Sequence, residues 1–132
     1  MQKATYEMLK KSALAVYDQG EVSANSNGTC LYRGPRGLKC AIGHLIPDES
    51  YDISLENKCP VVKSVQKAVQ TRPMSSTRAK LLEKLQECHD DCECTTPGGE
   101  FRVTFLQNIE ASLPELAERM RADGSYPELV NA

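Results

Sequence analysis

The chain has 132 residues, 40 % of them hydrophobic and 26 % charged, which is the composition of one ordinary globular domain and excludes a disordered, fibrous or membrane-spanning chain. A formal net charge of −2 gives no global attraction to nucleic acid or anionic lipid, so such a partner needs a local basic patch. With no Trp and two Phe, the core has to come from aliphatic side chains.

Six cysteines, Cys30, Cys40, Cys59, Cys88, Cys92 and Cys94, would read as a disulfide framework in a secreted chain. Lys10 and Lys11, however, interrupt the apolar positions of the N-terminal stretch, leaving neither a signal-peptide core nor a bilayer span. The expectation is a reducing compartment, free thiols and no membrane.

Tyr6, Leu9, Ala13 and Val16 recur at helical spacing, which predicts a first helix stopped by Gly20. EVSANSNGT, residues 21–29, is rich in turn formers and reads as a connector. The runs Cys30–Arg33 and Leu38–Ile42 flank Gly34-Pro35-Arg36-Gly37 and predict a short β-hairpin, which must lie against helices to be stable. Leu45-Ile46 before Pro47 predicts a brief helical turn, and Asp48 to Asn57 an acidic, polar loop.

A helix is predicted from Pro60, with Val61, Val62, Val65, Ala68 and Val69 on its apolar side and Arg72-Pro73 closing it. Ser75-Ser76-Thr77 caps another, carrying Leu81, Leu82, Leu85 and Cys88 and ending near Asp90 or Asp91. After Thr95-Thr96-Pro97-Gly98-Gly99, the residues Phe101, Phe105, Leu106 and Ile109 favour helix over strand, although Phe101, Val103 and Phe105 also alternate. Ser112-Leu113-Pro114-Glu115 reads as a capping box for a last helix that ends at Gly124. The expected fold is therefore mainly α: about five helices in a single domain over residues 1–132, a short hairpin packed on the bundle, and flexible last few residues.

The stretch CLYRGPRGLKCAIGHLIPDESYD, from Cys30 to Asp52, resembles the signature of a family of small proteins from tailed bacteriophages and prophages. Leu85-Gln86-Glu87-Cys88-His89-Asp90 is similar to a second segment of that group. The resemblance implies phage origin, residence in the cytoplasm of a bacterial host, and an accessory role such as host takeover or counter-defence.

Four sets of residues are candidate sites. Cys88, His89, Cys92 and Cys94 lie close enough in sequence to ligate zinc, with a further partner from Cys30, Cys40, His44 or Cys59, although buried reduced thiols are the commoner meaning of such cysteines. His44, His89, Asp90 and Asp123 follow the order of the ligands in metal-dependent phosphohydrolases of the HD superfamily, which activate water against a phosphate. Tyr32, Arg33, Arg36 and Lys39 on the glycine-rich turn offer guanidinium forks to a host protein or a small anionic ligand, where the plain alternative is a solvated turn.

Finally, Lys58, Lys63, Lys67, Arg72, Arg78 and Lys80 meet no acidic residue between them, but no aromatic side chain interleaves them, so a solvated face is expected before nucleic-acid binding. The leading expectation is a non-enzymatic binding protein without a resident cofactor. The alternatives are the phosphohydrolase and a small zinc-stabilised interaction module.

Overall fold

The computed structural model describes residues 1–127 and consists of five α-helices wrapped by one long irregular segment. They are α1 (Lys3–Gln19), α2 (Lys63–Val69), α3 (Ser76–Asp90), α4 (Gly99–Ser112) and α5 (Pro114–Asp123). The expectation of flexible last residues falls outside the described ones. No helix among the described residues is long and apolar enough to cross a membrane.

Helix α1 ends where Gly20 takes a left-handed φ of 76°, and its N–H bonds back to the Val16 carbonyl. α3 starts where the Ser75 hydroxyl accepts from the Arg78 N–H, and α5 stops at Gly124, also left-handed. α3 packs on both α1 and α4, and α5 on both α4 and α1. One hydrophobic cluster takes side chains from all five helices, including Leu9, Val16, Val65, Leu85, Phe101 and Leu116. The stacked rings of Phe101 and Phe105 settle the 99–112 segment as helix, because both are fully buried on one face four residues apart.

Three expectations need correction. No strand forms among the described residues, and the only pairing is an isolated bridge between Ala24 and Cys30. The backbone donors that a hairpin ladder would use are captured by side chains from elsewhere. Glu56 accepts from the N–H groups of Tyr32 and Arg33, Gln19 from that of Lys39, and Gln86 from that of Ile42. Only the turn survives, as a 3-10 turn over Pro35–Gly37 bracketed by a bond from Gly34 N–H to the Leu38 carbonyl.

The second correction is at α2, which begins at Lys63 rather than Pro60. Cys59 to Val62 is a separate turn closed by the Val62 N–H on the Cys59 carbonyl, and it leaves Val61 and Val62 exposed. The third is at the capping box. α4 continues through Ser112, so the junction falls at Leu113, which caps α5 without any side-chain bond and buries its own side chain.

Candidate functional site

Gln86, His89 and Asp90 sit three and four residues apart on one face of α3, turned toward the irregular segment. His89 is fully buried. Its Nε2 accepts the Ser23 N–H at 3.0 Å, so the ring proton resides on Nδ1, which donates to Asp90 Oδ1 at 2.8 Å. The same carboxylate oxygen accepts from Gln86 Nε2 at 2.8 Å, while Gln86 Oε1 takes the Ile42 N–H at 2.9 Å. The network therefore bolts both ends of the 23–42 segment onto α3. From the other side, Ser12 of α1 donates to the Ala41 carbonyl at 2.6 Å and Gln19 donates to that of Lys39 at 2.9 Å.

Beside this network lies a cleft of about 440 Å³ with Cys30, Cys40 and Cys59 on its walls, facing Glu83, Glu87 and Asp90 of α3. Burial, and then the neighbouring Asp90 carboxylate, push the Cys30 thiol well above its ordinary range; burial pushes Cys40 up to about 12. Both are therefore protonated and weakly nucleophilic at neutral pH. The Cys59 thiol donates to Glu83 at 3.0 Å, and the Tyr32 hydroxyl donates to the Lys58 carbonyl across the mouth. A larger groove, about 730 Å³, lies along α4 and α5, where Glu110 accepts from both Arg121 and Tyr126.

The four residues expected to ligate zinc do not converge. Cys88 and Cys92 face α4, where Asn108 donates to the Cys88 carbonyl at 3.0 Å and lies 3.6 Å from Cys92 Sγ. Burial raises these two thiols to about 12 and about 11, His89 turns away toward Ser23, and Cys94 is exposed. Among the described residues, the potential ligands that gather are Cys30, His89 and Asp90, whose donor atoms all lie within 4.8 Å of one another. Cys30 and Asp90 are far apart in the chain and share no motif, so spacing could not have found the set. The spacing of Gln86, His89 and Asp90 on a helix face was the available signal.

The phosphohydrolase order is not assembled either. Asp123 accepts from Tyr6 and from Lys10 at 3.1 Å on the first half of α1. His89 meets the chain just beyond the other end of that helix, about 20 Å away at 1.5 Å of rise per residue. His44 lies with its Nε2 3.2 Å from Gln19 Oε1, half-buried.

Burial, with help from the charge of Lys39, lowers the His44 pKa from 6.5 to about 4. The unfolded chain thus binds a proton between pH 6.5 and 4 that the folded chain refuses, and stability falls as pH is lowered through that window. His44→Gln keeps a donor toward Gln19 without the titration. Urea unfolding at pH 7 and pH 4.5 is expected to show the parent losing about 1–2 kcal/mol more than this variant, a figure discounted for the partial exposure of the ring.

The glycine-rich turn divides its two arginines. Arg33 is held inward: it donates to the Ile46 carbonyl at 2.7 Å, pairs with Asp48 and lies over the Tyr51 ring. Arg36 is at the tip in a left-handed conformation, φ 57°, with its side chain 70 % exposed and a single surface pairing, to Glu21 at 3.1 Å. Lys39 is half-buried and Tyr32 is buried.

Because Glu56 clasps Tyr32 and Arg33 while Tyr51 stacks under Arg33, residues 46–56 are pinned beside the turn. That segment presents Ile53 at 80 % exposure, the most exposed large apolar side chain among the described residues. Of the basic run, Arg78 is engaged by Thr5 and Gln70, whereas Lys58, Lys63, Lys67, Arg72 and Lys80 are exposed and form no ion pair among the described residues.

Compared with known proteins, the chain matches no protein-family model, no curated protein and no solved structure.

Proposed function

We propose that this chain is a phage-encoded accessory protein that acts by binding, docking onto a host protein in the bacterial cytoplasm through the layer formed by residues 33–62. The observation that carries this reading is Ile53, 80 % exposed on a segment that Glu56 ties to the backbone of Tyr32 and Arg33. An apolar side chain fixed in water by a polar clasp is the kind of anchor that protein interfaces bury. Val61 and Val62, in the Cys59–Val62 turn that follows, are also exposed, at 41 % and 40 %.

Charge gives the partner its character. Arg36 is exposed at the tip of the turn, and Asp48, Glu49 and Asp52 are exposed on the loop that carries Ile53, so the complementary surface is an apolar socket with a rim of mixed charge. The exposed Arg36–Glu21 pair contributes little to stability, and Arg36 exchanges partners at small cost. A small anionic ligand is less well supported, because Arg33 is already committed to Asp48, Ile46 and Tyr51. Phage origin and the host compartment rest on the resemblance of the Cys30–Asp52 stretch.

The experiment is affinity capture from a bacterial lysate with the parent chain and with the double variant Ile53→Asp, Arg36→Glu. The expected result is one host protein retained in stoichiometric amount by the parent and released at raised salt, with at least a tenfold weaker dissociation constant for the variant once that protein is purified. Equal retention by parent and variant, or no saturable partner, contradicts the reading.

A further inference from the structure

Residues 24–30 form a tight loop whose tip serves neither the docking surface nor the histidine network. The loop is closed by the pairing of Ala24 with Cys30 and by the Asn25 N–H on the Thr29 carbonyl at 2.9 Å. At the tip, Asn25 holds three consecutive N–H groups: those of Asn27 and Thr29 donate to its Oδ1 at 2.9 and 3.0 Å, and that of Gly28 to its carbonyl at 3.0 Å. Asn27 and Gly28 are both exposed, and the Asn27 carboxamide forms no hydrogen bond among the described residues. Asn27 is also the one asparagine of the chain that glycine follows. Gly28 has a φ of 81° and no atom within 4 Å of where a β-carbon would stand, so nothing crowds its backbone nitrogen from that side.

We infer that Asn27 is a site of spontaneous deamidation, converting to aspartate and isoaspartate at a rate set by the Asn25 clasp. The Gly28 nitrogen gives up its proton and attacks Asn27 Cγ. As that bond closes a five-membered succinimide, the Cγ–Nδ2 bond breaks and ammonia leaves with the proton. Water then opens the ring at either carbonyl. Scission at Cγ gives aspartate, and scission at the main-chain carbon gives isoaspartate, whose backbone runs through the former side chain. The attacking nitrogen is the one that donates to the Asn25 carbonyl, so the reaction draws on the fraction of molecules in which the loop tip has opened. The other described asparagines lack this combination. Asn25 precedes Ser26 with its Oδ1 engaged, Asn57 precedes Lys58, and Asn108 precedes Ile109 within α4 with its Nδ2 on the Cys88 carbonyl, so a side chain crowds each attacking nitrogen. This site does not depend on the docking surface, and either can fail without the other.

The test is peptide mapping by mass spectrometry of the purified full chain, kept folded in mildly alkaline buffer and sampled over time, with fragmentation to locate each change. Asn27 should gain the mass that separates a carboxyl from an amide, with isoaspartate the larger product, at least tenfold faster than Asn57 or Asn108. Asn25→Ala removes the acceptor for the Asn27 and Thr29 N–H groups and should speed the change at Asn27 at least threefold.

The unaltered chain compared with and without denaturing urea covers the case of a variant that does not fold, because urea opens the loop without any substitution. Deamidation of Asn27 should be at least threefold faster in urea. A rate at Asn27 no greater than at Asn57 in the folded chain, or a rate left unchanged by urea or by Asn25→Ala in a folded variant, overturns the assignment.

Discussion

His89→Ala is expected to lower the melting temperature by about 12 °C. The change leaves the buried Ser23 N–H without an acceptor and Asp90 without one of its donors, and it opens a cavity at a fully enclosed position. An unsatisfied buried donor costs about 1–3 kcal/mol and the lost packing adds to it, so the sum is about 3 kcal/mol. At roughly 4 °C per kcal/mol for a chain of this size, the shift follows. Thermal unfolding followed by far-ultraviolet circular dichroism measures it directly. A histidine kept for catalysis behaves differently, because its removal commonly leaves stability unchanged or improved. A melting point within about 2 °C of the parent would therefore show that the His89–Asp90 pair does not hold the loop layer to α3.

Gly43→Ala should be at least as damaging, for a reason that lies in the backbone. A β-carbon on Gly43 would stand 2.1 Å from the Tyr32 carbonyl oxygen, and the 3.2 Å approach of Tyr32 Cα leaves no room for a small adjustment. The two segments meet there because Cys40, Ala41, Ile42 and Tyr32 are all buried against α1 and α3. Relief requires one segment to leave the core, at a cost of about 3 kcal/mol or more. Gly37→Ala provides the contrast. Gly37 has a positive φ of 75° but open space around it, so only the left-handed backbone penalty of about 1 kcal/mol applies. Urea midpoints of the two variants should differ in that order; equal midpoints would contradict the close packing of Tyr32 on Gly43.

The helices were legible because their information is local. Tyr6, Leu9, Ala13 and Val16 on α1, and Leu82, Leu85 and Cys88 on α3, are buried at the spacing the sequence displays, and Gly20, Ser75 and Gly124 terminate helices through their own conformations or side chains. The 30–46 segment was not legible as a loop, since its alternating apolar residues and glycine-rich turn are what a hairpin also shows. What decides between the two is where the backbone donors go. Their acceptors, Gln19, Glu56 and Gln86, lie on other elements, 20 or more residues from the N–H groups they take.

The candidate sites divide along the same line. His89 and Asp90 were visible as a neighbouring pair, but only the tertiary structure sets Cys30 against them and turns Cys88 and Cys92 the other way, toward α4. Arg33 and Arg36 looked alike in sequence, three residues apart on one turn. Folding commits the first to Asp48 and the Ile46 carbonyl and leaves the second in solvent.

Hydrogen exchange of the chain, alone and saturated with the captured host protein, tests the proposed docking surface most directly. Slowed exchange confined to residues 33–62, strongest at the amides around Ile53, with α4 and α5 unchanged, is the predicted result. Protection centred on the groove along α4 and α5, or spread evenly over the helices, would contradict it.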